Sequence, residues 1–336
     1  MNTKNKILII THTEDNNCVE LVTEALEQLG AEVVRFDIDK YPLETSLTSE
    51  FFENEWHTHL TEGDKKHRID DITALWFRRA YNLGRGLSGE IDKKFLGAAL
   101  GELRQTLFGM TESMPCYHFG KMSQYRRMDS KEEQLKVANH LGLKIPQTCI
   151  TNDPQTAKEF VKKCKDGAIA KMQSGFAIYE EGVEHVVFTN IVDENTLEEI
   201  DTLRYCPMQF QELIPKEKEL RVTIVGDKVF SFEIDSQKIE NAKVDWRKEG
   251  VELIEDWKPH TLPEEIENKL LALMDFYGID YGAIDLILTP EQQYYFLEVN
   301  AAGEFFWIDR LCDGAISKQI AEVLNGTAKR RGKVLY

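Results

Sequence analysis

The sequence predicts a mixed α/β protein made of three successive units, and three patterns support this prediction. An apolar run from Lys6 to Thr11 is followed by apolar residues at helical spacing and by a second apolar run from Glu32 to Phe36. This order is typical of the β-α-β start of an open α/β layer. The middle of the chain carries helix-start signals, and the last part is rich in strand-like runs. We place the unit boundaries at residues 1–115, 116–206 and 207–328.

Capping and turn residues predict the elements of the second and third units. Ser130 and Glu133 have the spacing of a helix capping box, and Asp153-Pro154 is a typical start for another helix. A strand from Ala168 to Met172 follows. In the third unit we expect the segments between Met208 and Ile234 to form consecutive strands joined by short turns.

The charge composition limits the partners that this chain can have. Lysine and arginine number 41 and aspartate and glutamate 58, which gives a formal net charge of −17. We therefore expect neither a nucleic-acid nor a membrane partner, since both require a basic surface. No apolar run approaches the roughly 20 residues of a membrane-spanning helix. With no signal-peptide pattern and no CxxC pair among six scattered cysteines, we expect a cytoplasmic protein without a zinc site or disulfide framework.

The last two predicted strands contain polar side chains in an apolar context. Asp285 lies within the run from Tyr281 to Leu288, and on the next strand Phe296, Glu298 and Asn300 should share one face. Buried carboxylates are costly unless a positive charge balances them. Two carboxylates and an amide oxygen suit Mg²⁺. The alternative is an ordinary solvated sheet face.

Two lysines could hold the phosphates of a nucleotide at such a site. Lys171 lies inside a predicted strand, and Lys131 lies in the first turn of a helix, where acids are favoured. Taken alone, Lys131 is better explained as a solvated surface lysine. The first β-α turn has no glycine, so a dinucleotide-binding Rossmann domain is disfavoured.

Further residues could complete a nucleotide pocket. The segment from Gln211 through Glu212 to Ile214 ends a strand and could present backbone groups to an adenine. Glu219 and Arg221 share a face of the next strand. An acid can bind ribose hydroxyls and an arginine a phosphate or acyl-phosphate, although such a pair taken alone is more often a surface ion pair.

The order of two lysines, an aspartate and a final ExN motif resembles the ATP-grasp ligases, over nearly the whole chain. Several stretches also resemble the microviridin-type, or graspetide, peptide macrocyclases. These stretches are RFDIDKYP (35–42), WFRR (76–79), KMQSGFAIYEEG (171–182), QELIPKEKELRV (211–222), VDWRK (244–248) and FLEVNAAGE (296–304). The resemblance implies an ATP-grasp fold with an N-terminal pre-grasp domain followed by central and C-terminal grasp domains.

The resemblance also implies a two-step reaction. ATP would phosphorylate an Asp or Glu side chain of a precursor peptide, and a Thr or Ser hydroxyl, or less favourably a Lys amine, would displace the phosphate. The roles it implies are metal ligands Asp285, Glu298 and Asn300; nucleotide contacts Lys131, Lys171, Gln211, Glu212, Ile214 and Glu219; acyl-phosphate stabiliser Arg221; and peptide contacts Arg78, Arg79, Asp245 and Arg247. The implied cofactors are ATP and Mg²⁺. The implied partners are a precursor peptide, with a leader helix and an acidic, Thr-containing core, and a second copy in a homodimer.

Two other functions are compatible with the same pattern. An ATP-grasp ligase that adds a free amino acid to a peptide or small acid would share the nucleotide site and differ in the acceptor. A nucleotide-binding regulatory protein with a decayed site is the other, and the complete set of lysines and metal-ligand candidates argues against it.

Overall fold

A computed structural model describes residues 4–15, 17–79, 81–174, 177–180, 183–186, 189–238 and 254–331. The architecture is mixed α/β, as predicted, with five separate sheets in these ranges. In the part of the chain that the structure describes, no helix combines the length and apolar character required to cross a membrane.

The N-terminal region contains a parallel sheet and a separate antiparallel one. Its elements are β1 (Lys6–Thr11), α1 (Asn17–Gln28), β2 (Glu32–Asp37), β3 (Thr45–Phe52), β4 (Glu55–Glu62), β5 (Lys65–Arg68), β6 (Ala74–Phe77), α2 (Leu87–Glu90), α3 (Lys93–Ser113) and β7 (Tyr117–His118). The parallel sheet has the order β2-β1-β6-β7, and β3, β4 and β5 form an antiparallel meander. The predicted β-α-β start is therefore present, since β1 pairs with β2 in parallel after α1.

The middle region is built around a four-stranded sheet. Its elements are α4 (Met122–Met128), α5 (Lys131–His140), β8 (Thr148–Thr151), α6 (Pro154–Lys163), β9 (Ala168–Lys171), β10 (Ala177–Glu180), β11 (Val183–Val186), β12 (Asn190–Ile191), α7 (Glu194–Glu198) and β13 (Met208–Glu212). The sheet order is β12-β9-β13-β8, and β10 and β11 form a separate hairpin. Asp153 caps α6 as predicted, because its carboxylate accepts from the backbone N–H groups of Gln155 and Thr156.

The predicted strands between Met208 and Ile234 are present, but the first of them belongs to a different sheet from the other two. The segment starting at Met208 does not pair with the strands that follow it in sequence. Instead β13 lies between β8 and β9 of the middle sheet, antiparallel to both. Local sequence could not reveal this, because a strand pattern indicates an extended segment but not the sheet that receives its hydrogen bonds.

The C-terminal region is an antiparallel sheet covered by helices. Its elements are β14 (Lys218–Val225), β15 (Lys228–Ile234), β16 (Lys258–Pro259), α8 (Glu264–Tyr277), β17 (Tyr281–Leu288), β18 (Tyr294–Asn300), α9 (Phe306–Leu311) and α10 (Ala315–Asn325). The sheet order is β16-β15-β14-β17-β18. Gly278 ends α8 in the left-handed conformation, which favours glycine.

A shared hydrophobic core joins the N-terminal and C-terminal regions. Ile9 and Trp76, from the parallel sheet, belong to the same buried cluster as Tyr281, Trp307 and Ile320. Each of these side chains is at most 5% exposed. This packing places the end of β6 close to the segment that follows β18.

Candidate active site

Three neighbouring strands of the C-terminal sheet place an arginine and two carboxylates side by side. Arg221 on β14 lies opposite Asp285 on β17, which in turn lies opposite Glu298 on β18. Directly opposite residues of antiparallel strands project to the same face. We call these three residues the carboxylate row. It brings the predicted catalytic arginine together with two of the three predicted metal ligands.

An ion pair holds the centre of the carboxylate row. Arg221 Nη1 donates to Asp285 Oδ1 at 2.8 Å, and Arg221 Nη2 donates to the backbone oxygen of Glu304 at 3.2 Å. Burial by itself would lower the pKa of Arg221, but Asp285, Tyr281 and Glu298 together outweigh that effect and the pKa is raised. The guanidinium therefore stays charged beside its carboxylate.

Lys131 reaches the carboxylate row from the start of α5. Its Nζ lies 2.7 Å from Glu298 Oε2. Ser130 caps this helix by accepting from the Glu133 backbone N–H at 3.3 Å. The ion pair explains a lysine in the first turn of a helix, where the helix dipole would otherwise favour an acid.

A buried glutamine fixes α5 against β18. Gln134 is 1% exposed, and its side-chain amide forms hydrogen bonds with both the N–H and the carbonyl of Val299. The Val299 N–H donates to Gln134 Oε1 at 2.9 Å, and Gln134 Nε2 donates to the Val299 carbonyl at 2.9 Å. Val299 lies between Glu298 and Asn300, so this contact sets the position of Lys131 relative to the predicted metal ligands.

A β-bulge changes the predicted alternation of β18. Asp285 pairs with Glu298, but Leu286 pairs with Phe296, so one residue of β18 is extra in the ladder. Phe296 and Val299 consequently lie in the same buried cluster. The prediction that Phe296 shares a face with Glu298 and Asn300 is therefore wrong, because strict alternation holds only where the ladder is regular.

The segment after Asn300 is held by side chains from distant parts of the chain. Asn300 Oδ1 accepts from the Ala302 backbone N–H at 2.9 Å. The Gly303 carbonyl accepts from Tyr281 Oη at 2.8 Å and from Arg78 Nη1 at 3.2 Å. Glycine is required at position 303, since a Cβ there would overlap the Cβ of Ala283.

Arg78 and Arg79, at the end of β6, contact this segment and two carboxylates. Both guanidinium groups donate to the Ala302 carbonyl. Arg78 Nη2 lies 3.1 Å from Glu304 Oε2 and Arg78 Nε 3.5 Å from Asp15 Oδ2, while Arg79 Nη1 pairs with Glu304 Oε1. We call Asp15, Arg78, Arg79 and Glu304 the arginine latch. It ties the N-terminal region to the segment that follows the predicted metal ligands.

Cys18 lies against the arginine latch. Its thiol donates to Glu304 Oε2 at 2.8 Å. Burial raises the pKa of this thiol to about 12, and the nearby Arg78 charge only partly opposes the effect. The thiol is therefore protonated at neutral pH and acts as a hydrogen-bond donor.

A cleft of about 800 Å³ opens between the three regions. Its lining includes six of the predicted site residues, namely Arg78, Arg79, Lys131, Lys171, Glu298 and Asn300. Lys171 lies at the end of β9 and faces Gln209 across the ladder of the middle sheet. Charged groups that are far apart in sequence therefore surround one solvent-filled space.

The predicted nucleotide residues Gln211, Glu212, Ile214 and Glu219 lie outside the lining of this cleft. Gln211 is fully buried and donates from Nε2 to Thr148 Oγ1 at 3.0 Å. Glu212 accepts from the Gln147 backbone N–H at 2.8 Å. Glu219 accepts from Ser236 Oγ at 2.7 Å and from Lys216 Nζ at 3.1 Å. The predicted peptide contacts Asp245 and Arg247 lie outside the described residues.

The chemistry of the donor set fits Mg²⁺. Asp285, Glu298 and Asn300 offer two carboxylates and an amide oxygen, the hard oxygen donors that Mg²⁺ binds. The two carboxylate side chains are 27% and 26% exposed, and each is balanced by a cation. A bound divalent ion would balance the negative charge of the two carboxylates in the same way. Within the described ranges, no group of three or more His, Cys, Asp and Glu side chains forms an alternative metal site.

Solved structures resemble this chain over its whole length. A Chryseobacterium gregarium RiPP-associated ATP-grasp ligase, solved with ADP and a leader and core peptide, is 56% identical, with a TM-score of 0.93. The match covers 99% of this chain and 100% of that one. The chain belongs to the RiPP-associated ATP-grasp ligases. The predicted fold and ligase class are thereby confirmed.

Two further solved structures agree with this membership. The macrocyclase MdnC from Microcystis aeruginosa MRC, bound with precursor peptide MdnA, is 38% identical to this ligase, with a TM-score of 0.85 and coverage of 96% of this chain and 99% of that one. The macrocyclase MdnB from the same organism is 32% identical, with a TM-score of 0.80 and coverage of 95% and 99%.

Two sequence comparisons match parts of the ligase. Residues 6–126 match the family described as the MvdD pre-ATP grasp domain. The alpha-aminoadipate–LysW ligase LysX of Sulfurisphaera tokodaii is 23% identical over 189 residues, which are 53% of this chain. The ligase spans only 61% of the length of that curated relative.

Sequence reasoning missed four residues that shape the site of this ligase, namely Asp15, Cys18, Gln134 and Glu304. Glu304 ends the FLEVNAAGE stretch, and Asp15 is one of two acids in the first β-α turn. Gln134 precedes the apolar positions of α5 and is as buried as they are. A polar residue on a buried helix face is a usable signal, because a buried amide must find hydrogen-bond partners.

Proposed function

We propose that this ligase closes macrocycles in a ribosomally made precursor peptide. In the proposed reaction, ATP activates Asp or Glu side chains and the enzyme joins them to Thr or Ser hydroxyls as ω-esters, with ω-amides to Lys as the less favoured product. The observation that carries the proposal is that Lys131 and Glu298 of the site lie on the wall of a cleft that is also lined by four arginines. Such a cleft suits both an anionic nucleotide and an anionic peptide.

The proposed reaction balances as two displacements. A peptide carboxylate oxygen attacks the terminal phosphorus of ATP, and ADP leaves. The hydroxyl oxygen of Thr or Ser then attacks the acyl carbon, its proton is released, and phosphate leaves. Each ring therefore removes the elements of one water from the peptide. The protein contributes positioning and charge neutralisation, the main terms in phosphoryl-transfer catalysis.

The residues of the site support distinct roles in this reaction. Asp285, Glu298 and Asn300 would hold Mg²⁺, which supplies positive charge to the phosphates when it is bound. Lys131 and Lys171 would bind the same phosphates from the cleft wall. Arg221 would stabilise the acyl-phosphate, because its guanidinium is held in place by Asp285.

The remaining predicted contacts also belong to this proposal. The backbone of Gln211, Glu212 and Ile214 would bind adenine, and Glu219 would bind ribose. The two arginines of the latch differ: the Arg78 side chain is 1% exposed and that of Arg79 is 17% exposed. Arg79 would therefore contact the peptide directly, while Arg78 positions the segment after Asn300. Peptide contacts by Asp245 and Arg247, docking of a leader helix and a homodimer stay predictions.

The test is an intact-mass measurement on a precursor. A small reading frame beside the gene that encodes repeated Thr and Glu or Asp residues supplies the peptide, which is incubated with the enzyme and MgATP. The expected result is ATP-dependent loss of one water for each ring, with ester rings reopened by mild alkali. An unchanged mass, with ATP consumed only when free amino acids are added, would instead establish an amino-acid ligase.

Variants connect that result to the site. Asp285→Asn should abolish ring formation, whereas Glu291→Gln, on the exposed turn between β17 and β18, should leave it unchanged. Wild-type turnover by Asp285→Asn would overturn the metal assignment without affecting the macrocyclase proposal.

A further inference from the structure

Helices α3 and α4 present a second cationic surface to the cleft. Arg104 and Phe108 lie one turn apart on α3, and Arg126 lies on α4, so each helix turns one face toward the cleft. The Arg126 guanidinium lies 4.5 Å from the centre of the Phe108 ring. We call Arg104, Phe108 and Arg126 the arginine wall. None of its members had a role in the sequence-based predictions.

The arginine wall differs from the arginine latch in what its charges contact. Arg78 and Arg79 are paired with Asp15 and Glu304. Within the described ranges, Arg104 and Arg126 form no ion pair with a carboxylate, and both side chains are exposed. Their charges are therefore available to a ligand in the cleft.

The charge of the cleft contrasts with that of the whole protein. The protein carries a net charge of −17, yet six cationic and two anionic side chains line this cleft. Lys131 and Lys171 lie on α5 and β9, which are different elements from those of the arginine wall. A nucleotide bound to the lysines would thus leave Arg104 and Arg126 for a second anionic ligand.

We propose that the arginine wall binds acidic side chains of the peptide core that are not being activated, and thereby selects which carboxylate reaches the phosphates. This proposal rests on the macrocyclase function proposed above. Arg126 is suited to the task because its flat guanidinium, which lies over the Phe108 ring, can donate two parallel hydrogen bonds to a carboxylate. An extended peptide spaces its side chains regularly, so one held carboxylate would set the register of the next.

The experiment measures binding in the absence of turnover. Two fluorescein-labelled synthetic peptides are used, one of alternating Thr and Glu residues and one with Gln at each Glu position. Fluorescence anisotropy is recorded with excess MgADP present. Wild-type enzyme should bind the Glu peptide at least about tenfold more tightly than the Gln peptide, since a charged hydrogen bond contributes about 1.4 kcal/mol more than a neutral one, which is about tenfold in Kd.

The double variant Arg104→Gln/Arg126→Gln should lose this preference for the Glu peptide. Arg127→Gln is the matched control, because Arg127 neighbours Arg126 on α4 but pairs with Glu133 at 2.9 Å and does not line the cleft. The control should keep the preference of the wild type. An unchanged preference in the double variant, or none in the wild type, would overturn the arginine wall. Failure of the macrocyclase proposal would instead appear as an unchanged precursor mass in the turnover assay.

Discussion

The carboxylate row and the arginine latch both pair arginine with carboxylates, but in different surroundings. In the latch the Arg78 and Asp15 side chains are 1% and 2% exposed, and Arg78 Nη1 donates to the backbone carbonyls of Ala302 and Gly303. In the row, Asp285 and Glu298 are about a quarter exposed and border solvent. Breaking a fully buried pair leaves an uncompensated charge, whereas a partly exposed carboxylate can exchange one cation for another. From this comparison we propose that the latch contributes to stability and the row to catalysis.

The largest expected effect is on stability, from breaking the latch. Arg78→Met should lower the free energy of unfolding by about 3–5 kcal/mol, because buried Asp15 would lose its nearer cation and keep only Arg79, at 4.0 Å. Urea unfolding measures the change. The control is Arg68→Met, whose side chain is 59% exposed and pairs with Asp70 at 3.0 Å, and which should cost less than about 1 kcal/mol. If both variants lost the same free energy of unfolding, the latch would be no more important for stability than an exposed ion pair.

The carboxylate row should show the opposite pattern. Glu298→Gln should reduce ring formation by about 10²- to 10³-fold, because charge stabilisation at the phosphates is lost. Its unfolding free energy should change by less than about 1 kcal/mol, since Lys131 and Glu298 both reach solvent. Turnover and urea unfolding are measured on the same preparation, with Glu133→Gln as a surface control. A stability loss as large as that of Arg78→Met would contradict the assignment.

Gln134 lies structurally between the two cases, because it is buried and yet adjoins the row. Gln134→Leu should destabilise the protein by about 1–3 kcal/mol, since the Val299 N–H and carbonyl would lose their partners. It should also slow ring formation by displacing Lys131 from Glu298. Gln155→Leu, on the exposed face of α6, should do neither. Destabilisation without any loss of rate would show that α5 is not the element that positions Lys131.

The smallest expected effect concerns alkaline pH at the latch. Burial raises the pKa of Cys18 from 9.0 to about 12, so the folded state keeps a proton that the unfolded chain loses. The contribution of this group to stability is therefore complete below pH 9 and declines as the pH rises toward 12. Between pH 9 and about pH 10, the free energy of unfolding should fall by about 1 kcal/mol less in Cys18→Ala than in the wild type. Cys206→Ala, at an exposed site, should leave the decline unchanged, and an equal effect of both variants would refute the burial argument.

Local signals predicted much of the secondary structure, and they failed where a partner was distant. The cap at Asp153 forms as predicted, because all its atoms lie within four residues. Only half of the predicted capping box at Ser130 forms, since the Glu133 side chain pairs with Arg127 instead. The placement of β13 and the bulge in β18 depend on neighbouring strands, which a local pattern does not specify.

The sequence by itself determined the fold class, the family resemblance and the residue types of the site. Apolar periodicity and capping are encoded within a few positions, and the polar residues of β17 and β18 stand out from their apolar surroundings. Only the tertiary structure decided which arginine or lysine pairs with which carboxylate. Arg78 and Glu304 are 226 positions apart, and packing of the parallel sheet on the C-terminal region brings them together. Burial then separates the roles of the arginine latch and the carboxylate row. An arginine–carboxylate pair supports stability where water is excluded, and it remains open to ligands where solvent reaches it.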